Sequence, residues 1–517
     1  MKTQAPQLGL LGILACGIVS AVLLVLAFPP YDYWYLAWIA LVPMLVPLAL
    51  PTPRPRAARA AAALTFVLYM GVLLWQAFPP GLTSRAWRGS DFPPILFLDS
   101  PALFVSVILL PTLFVLFYFG RIPIGPPISL AQARPYFWLL PPAVWTLTEY
   151  VRYRLQLGHI WGNLFTTQHT FPTTLAIMRL GGPWLLTFCI VLANVLIAAV
   201  LARLLARRPM QAAGVTALVV PLLVSSVLLS TAMRGSAPHA QSDPQTIEVA
   251  LVQTGLDMSD YFDKAMVQGV RDYYGLAWSD VEQLTREQAQ GAQLIVWPEA
   301  TVWRDVQADT EARERLAAFA REMNAYLLAP YFVDTDPRGF RNEAVLISPQ
   351  GEFLGMYAKN YPIIFVGEQS VTGGEHPVFS TPLGTFATMM AYDSDFPDVA
   401  RTLTANGAQL IAVTSHDWVE MSPFQVAASA QRAAENNVTI VKADWRYGSA
   451  VILPSGEIIA STSALEADRT VLRATVPLPE SSGTPYTRTG DWFAWLCAVL
   501  VVGLLARLFW ERRSAVH

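Results

Sequence analysis

Cysteine is nearly missing from this chain: three occur in 517 residues, Cys16, Cys189 and Cys497, each inside an apolar run. The long stretch between Cys189 and Cys497 therefore has neither a disulfide nor a thiolate nucleophile. Histidine is almost as scarce, with six scattered residues, and His416 lacks a neighbour at ligand spacing, so no metal site is expected. Charge is thin too. Only 14% of residues are charged, against roughly 25% in an ordinary soluble domain. A net charge of −3 offers no concentrated basic surface, which excludes nucleic acid as a partner. Within the basic set lysine is the rarity: Lys2, Lys264, Lys359 and Lys442 stand beside 31 arginines.

What the chain does have is apolar residues, 54% of the total, unevenly spread. Long uncharged runs fill the first 232 residues and the last 25. Crossing a hydrocarbon core takes about 20 apolar residues, and eight runs approach that length: about 8–28, 34–51, 60–79, 101–120, 136–152, 184–204, 212–232 and 491–510. The first is too long for a secretory signal and has no A-x-A cleavage site. Arginines follow alternate runs, at Arg54, Arg56 and Arg59, at Arg121 and Arg134, at Arg203, Arg207 and Arg208, and at the C-terminus. By the positive-inside rule both termini are then cytoplasmic and the segment 246–478 lies on the outer face of the membrane. The expected domains are a seven-helix membrane part over 1–232, a linker 233–245, an α/β domain 246–478, a linker 479–490, and an eighth helix with a short tail over 491–517.

The segment 246–478 has a different texture. "TIEVALVQTG" runs apolar like a buried strand, and a helical stretch, 259–290, follows with its charges on one face. "QLIVWPEATVW" is strand then loop, 307–324 is helix, and "EAVLISPQGEFLGMYAKN" is a hairpin turning at Pro349, Gln350 and Gly351. "TFATMMAYD" is a strand that breaks at "SDFPD", and 422–436 is helix. Strands alternating with helices and then pairing in hairpins predict a layered α/β domain with a mixed sheet.

Three charged residues in this segment stand out. Glu299 in "IVWPEA" sits just past an apolar strand, where desolvation disfavours the carboxylate and suits it to act as a base. Lys359 in "GMYAKNY" is a lysine in a chain that writes arginine wherever a plain positive charge suffices. A compact ammonium at a strand end suits an oxyanion better than a planar fork does. Glu368 in "FVGEQS" follows nine residues on.

The order "VWPE", "YAK", "GE", then "AYD…FPD" resembles the nitrilase, or carbon-nitrogen hydrolase, superfamily. "LAFPPYDYWYLAWIALVPML", "PAVWTLTEYVR" with "WGNLF", and "TPYTRTGDWFAW" are similar to stretches of the apolipoprotein N-acyltransferase family. The resemblance spans essentially the whole chain. It implies a multi-pass α-helical bundle of about eight helices in a bacterial cytoplasmic (inner) membrane, carrying an inserted nitrilase-like αββα sandwich, and no cofactor. It also implies transfer of an acyl chain from a phospholipid donor to the N-terminal amine of a diacylglyceryl lipoprotein. In such a scheme Glu299 is the general base, Lys359 the oxyanion stabiliser and Glu368 an accessory group. Trp303, Tyr331, Phe365, Tyr392, Trp418 and Phe424 are candidates to contact the lipid substrates.

At one position the match fails. The family usually reads Cys-Tyr-Glu where this chain reads Ala391, Tyr392, Asp393, and alanine has no nucleophilic atom. Three accounts stay open: an inactivating replacement made in the laboratory, natural loss of the thioester step, and relocation of the nucleophile to Ser394. The expected function is accordingly an N-acyltransferase working without the usual cysteine, through Ser394 or by direct attack of the amine. The alternative is a catalytically silent homologue that binds lipid or lipoprotein as a regulator or partner.

Overall fold

The computed structural model describes residues 9–49, 64, 138–155, 162–205, 245–256, 270–333, 339–363, 370–417, 419, 421–463, 468–480 and 482–514. They fall into two compact units. One comprises described residues up to 205 together with those from Asp491 on, and the other comprises those from 245 to Gly490.

The first unit is helical. Helix Leu10–Ala27 carries no charge and stops at Phe28, ahead of Pro29 and Pro30, because a residue before proline is pushed out of the helical region. Helix Leu140–Arg154 opens with proline in its first turn and ends with Arg152 and Arg154 in its last, the arrangement that suits both the missing donor and the helix dipole. Helix Met178–Leu205 is kinked at Gly181 and Gly182, where Gly182 adopts φ +67°. Buried polar groups join these pieces. Glu149 accepts from Trp145 Nε1 at 2.9 Å, Leu164 N at 2.9 Å and Thr187 Oγ1 at 2.7 Å. The C-terminal helix Trp492–Ser514 is tied in by Trp184 Nε1 donating to Asp491 Oδ1 at 2.8 Å and Trp492 Nε1 to Leu180 O at 3.0 Å.

The expectation of eight membrane spans is corrected here. Among the described residues two helices are long and apolar enough to cross a membrane, Leu10–Ala27 and Met178–Leu205. The run 34–51 is instead a 3₁₀ turn, Trp34–Trp38, followed by the short helix Val42–Ala49 with Pro47 inside it. The run 136–152 becomes a 15-residue helix carrying Glu149, Arg152 and Arg154, and the apolar part of the last helix is only Trp492–Arg507. The runs 60–79, 101–120 and 212–232 lie outside the described residues, Leu64 excepted. Counting apolar residues overlooks where proline and 3₁₀ geometry cut a helix short. The arginine argument needed every span in place, so the eight-pass inner-membrane placement, with cytoplasmic termini and 246–478 outside, is withdrawn with them.

The second unit contains two six-stranded sheets. The first uses β1 (Thr246–Gln253), β2 (Leu294–Val296), β3 (Tyr326–Val333), β4 (Arg341–Ile347), β5 (Phe353–Ala358) and, across the other edge, β12 (Thr470–Pro477), in the order β12-β1-β2-β3-β4-β5. The second holds β6 (Phe379–Thr381), β7 (Gly384–Met390), β8 (Leu410–Ser415), β9 (Thr439–Asp444), β10 (Ala450–Ile452) and β11 (Ile458–Ser461), in the order β11-β10-β9-β8-β7-β6. Each sheet has three parallel central strands, β1-β2-β3 and β7-β8-β9, with antiparallel strands outside them. The parallel strands β8 and β9 are buried throughout, as strands covered on both faces must be, while β12 alternates buried and accessible residues at an edge.

Helices Val270–Gln288 and Thr310–Met323 pack on the first sheet, Pro397–Ala405 and Ser422–Asn436 on the second, and β1 lies against β9. Helix Thr310–Met323 starts where Asp309 accepts from Ala312 N at 3.0 Å and stops at Asn324 in the left-handed region. The β4–β5 hairpin turns at Gly351, whose φ of +82° leaves the position to glycine. Glu299 lies just past β2, Lys359 just past β5 and Asp393 just past β7.

Candidate active site

Glu299 follows β2 at the point where the chain leaves the first sheet. Its backbone is fixed from the second sheet: Glu299 N donates to Ser415 O at 3.3 Å, and Trp445 Nε1 donates to Glu299 O at 2.6 Å. The residue is 5% exposed, and Oε1 accepts from Lys359 Nζ at 3.2 Å and from Asn342 Nδ2 at 2.7 Å. Those two donors come from one ladder. β4 and β5 pair Glu343 with Ala358, so the next position out sets Asn342 opposite Lys359, and Lys359 N donates to Asn342 O at 3.0 Å.

Ala391 begins the 3₁₀ turn Ala391–Asp395 at the end of β7. It adopts φ +39°, and Ala300, directly after Glu299, adopts φ +56°. A left-handed conformation costs an L-residue roughly 1–2 kcal/mol. Of the other described non-glycine residues with positive φ, Asn324 and Asn437 are helix C-caps, a position that asparagine tolerates. The two alanines have no such reason, and strain of this kind is held where neighbouring structure over-determines the backbone.

Asp393 ties this turn to Lys359. Fully buried, it accepts from Tyr357 OH at 2.6 Å, Tyr361 N at 2.8 Å, Asn360 N at 3.1 Å and Met390 N at 3.1 Å. Burial pushes its carboxyl up to about 7, against the pull of Tyr357, Lys359 and the backbone donors. Tyr361 also stacks on Phe396, ring centroids 3.6 Å apart, and donates to Asp398 at 2.7 Å.

A second charged group flanks Glu299. Lys442 Nζ lies 2.8 Å from Asp417 Oδ2 and 3.0 Å from Asp444 Oδ2, and donates to Gly448 O at 3.3 Å. All three side chains are buried. Burial raises the Asp417 carboxyl well above the carboxylate range, with Lys442 opposing and Asp444 and Glu299 adding to it. For Lys442, burial pulls downward but the two aspartates outweigh it, so its ammonium is held. Among the described residues no three His, Cys, Asp or Glu side chains converge as metal ligands do.

The structure brings Glu299 and Lys359 together and fastens the Ala391 turn beside Lys359 through Asp393. Ser394 is buried, and its hydroxyl sits 2.7 Å from Ala391 O and 2.8 Å from Gln425 Oε1, both neutral acceptors. Ser415 Oγ is also buried, with no hydrogen-bond partner among the described residues. Tyr331 is enclosed in the hydrophobic core of the first sheet, where burial and then Glu343 push its phenol above its ordinary range. Trp303 packs on Phe332 at 4.4 Å and Tyr392 on Phe396 at 5.0 Å, and Phe424 is buried in its helix. Glu368, Phe365 and Trp418 lie outside the described residues. Sequence reasoning missed Asn342, for which "FRNEAV" carries no distinguishing signal, and Lys442, whose rarity as a lysine was the available clue.

Residues 249–486 match the family model of carbon-nitrogen hydrolases, and residues 20–196 match that of the apolipoprotein N-acyltransferase N-terminal domain. An apolipoprotein N-acyltransferase of Geobacter metallireducens is 27% identical over 97% of this chain and 96% of its own length. The chain is homologous to the apolipoprotein N-acyltransferase family and belongs to the carbon-nitrogen hydrolase (nitrilase) superfamily. Two further likenesses each cover less than half of this N-acyltransferase homologue. A nitrilase of Pyrococcus abyssi is 31% identical over 37% of this chain and 79% of its own. The crystal structure of Saccharomyces cerevisiae Nit3, a member of the nitrilase superfamily, is 19% identical, with a TM-score of 0.37 over 45% of this chain and 90% of that one.

Proposed function

We propose that this protein transfers an acyl chain from a phospholipid ester to the N-terminal amine of a diacylglyceryl lipoprotein, by direct attack of the amine and without an acyl-enzyme. The amine nitrogen attacks the ester carbonyl while Glu299 takes a proton from it. Lys359 stabilises the oxyanion. Collapse of the tetrahedral intermediate breaks the ester C–O bond, and the departing lysophospholipid oxygen takes the proton back from Glu299, leaving an amide. An amine is itself an adequate nucleophile once deprotonated, so the thiol that divides the reaction in two in a covalent scheme is dispensable in principle.

The observation that carries this reading is the buried Glu299–Lys359 contact of 3.2 Å. A buried ion pair is a poor device for stability, since apolar residues of the same volume serve as well or better, so its presence supports a chemical use. The test is to incubate the purified full-length chain with phospholipid and a diacylglyceryl peptide and to assay N-acyl product by mass spectrometry. Product that depends on Glu299 and persists in Ser394→Ala and Ser415→Ala supports the reading. An acyl ester on either serine would refute direct attack, and stable protein without product would refute acyl transfer altogether.

The second reading, a silent homologue that binds lipid or lipoprotein, is favoured by the missing nucleophile at Ala391 and by the Ser394 hydroxyl already occupied by two acceptors. Lipopeptide binding with no turnover under those conditions supports it.

A further inference from the structure

We infer that Asn342 recognises the amine of the acceptor, through a side-chain oxygen that the described residues leave without a partner. This rests on the amine-acceptor reading of the site. Glu299 Oε1 accepts from Lys359 Nζ at 3.2 Å and from Asn342 at 2.7 Å. A carboxylate oxygen in that role takes donors only, so the amide must present Nδ2 to Glu299. The other end of the amide, Oδ1, then faces away from that bond. The residue is 5% exposed, and Oδ1 has no hydrogen-bond partner among the described residues. The backbone of Asn342 is held, its carbonyl accepting from Lys359 N at 3.0 Å and β4 pairing it to Phe332, and a flipped amide would set Oδ1 against the carboxylate oxygen. A buried acceptor left unmatched in a held position asks for a hydrogen-bond donor from outside the fold.

The chemistry of that donor follows from the neighbour. A group bound at Glu299 gives its first N–H or O–H to the carboxylate. Only a group with a second hydrogen satisfies Asn342 Oδ1 as well. A primary amine, as ammonium or after losing one proton, has that second hydrogen, whereas an alcohol or a tertiary amine does not. Asn342 thereby selects for a primary amine and sets its nitrogen between the base and a second acceptor. An acyl ester, which has no N–H or O–H, is turned away from this position.

The experiment measures binding alone, so that it stands apart from turnover. Three diacylglyceryl-cysteine peptides, with a free amine, an N,N-dimethylamine and an N-acetyl group at the N-terminus, are titrated against the full-length chain in mixed micelles. The dimethyl peptide keeps the positive charge and loses all but one donor. The wild type is expected to prefer the free amine to the dimethylamine by about tenfold or more, and Asn342→Leu to shrink that preference to about twofold, as loss of one charge-assisted hydrogen bond does. If Asn342→Leu does not fold, Asn342→Ala supplies the comparison, and the wild-type preference must in any case be present. No preference in the wild type, a preference that survives removal of Asn342, or no binding of any peptide overturns the inference. A preference that depends on Asn342 in a protein that makes no product sustains it and overturns the proposed transfer instead.

Discussion

Ala391 stands in a backbone conformation that alanine does not favour, at φ +39°, beside a carboxylate–ammonium pair with which it has no chemistry to share. Neighbouring structure therefore holds the turn in this strained shape. In the full-length protein, Ala391→Cys is expected to take an acyl group from phospholipid as a thioester on residue 391, detected by intact-protein mass spectrometry. A folded variant that acquires no adduct would show that Glu299 and Lys359 are not poised to activate a thiol there. Asp393 yields a second expectation. Its folded-state value of about 7 lies above the ordinary 3.8, so the native protein binds a proton there more tightly than the unfolded chain. That contribution to stability is fully present below about pH 4 and is lost as pH rises towards 7. Thermal unfolding of the wild type should show this downward slope between those values, and Asp393→Asn should flatten it.

At the scale of elements, the β4–β5 hairpin is the device that delivers two donors to one carboxylate. Its ladder sets Asn342 opposite Lys359, and the turn at Asp393 pins the chain just beyond Lys359. Removing the ammonium leaves Glu299 buried with Asn342 as its one remaining described hydrogen-bond donor. Lys359→Met is therefore expected to destabilise the protein by about 3–5 kcal/mol in chemical denaturation, while the double variant Lys359→Met, Glu299→Leu should recover much of that loss. A Lys359→Met protein as stable as the wild type would mean that the pair is not isolated from water. Element boundaries were largely legible beforehand: the helix expected over 307–324 runs Thr310–Met323, the one expected over 422–436 runs Ser422–Asn436, and the hairpin turns at Gly351. These are the places where caps, glycine and apolar periodicity agree. The apolar runs outside 246–478 gave no such agreement, because a hydrophobic stretch looks alike whether it is one long helix or, as over 34–51, a 3₁₀ turn followed by a short helix around Pro47.

For the whole molecule, each compact unit is closed by contacts between segments far apart in the chain. In the helical unit Trp184 reaches Asp491 and Trp492 reaches Leu180, and Phe493, Ala494 and Cys497 of the last helix are buried. Ending the chain after Gly490 should consequently lower the thermal unfolding temperature relative to the full-length protein by several degrees or more. An unchanged transition would show that the last helix adds nothing to that unit. In the α/β unit the first and last strands pair, with Thr246 opposite Pro477.

The amino-acid sequence by itself determined the family, through motifs whose order along the chain carries the information, and it marked Glu299, Lys359 and the absent nucleophile at Ala391. Each of those is a property of residue type at a position. Only the tertiary structure decided which groups meet: that Asn342 and Lys359 converge on one oxygen of Glu299, that Lys442 sits between two aspartates, and that two of the apolar runs form helices of spanning length. Such meetings depend on strand register, on where a helix is broken and on which polar atoms the fold leaves without partners. None of these is a function of local composition.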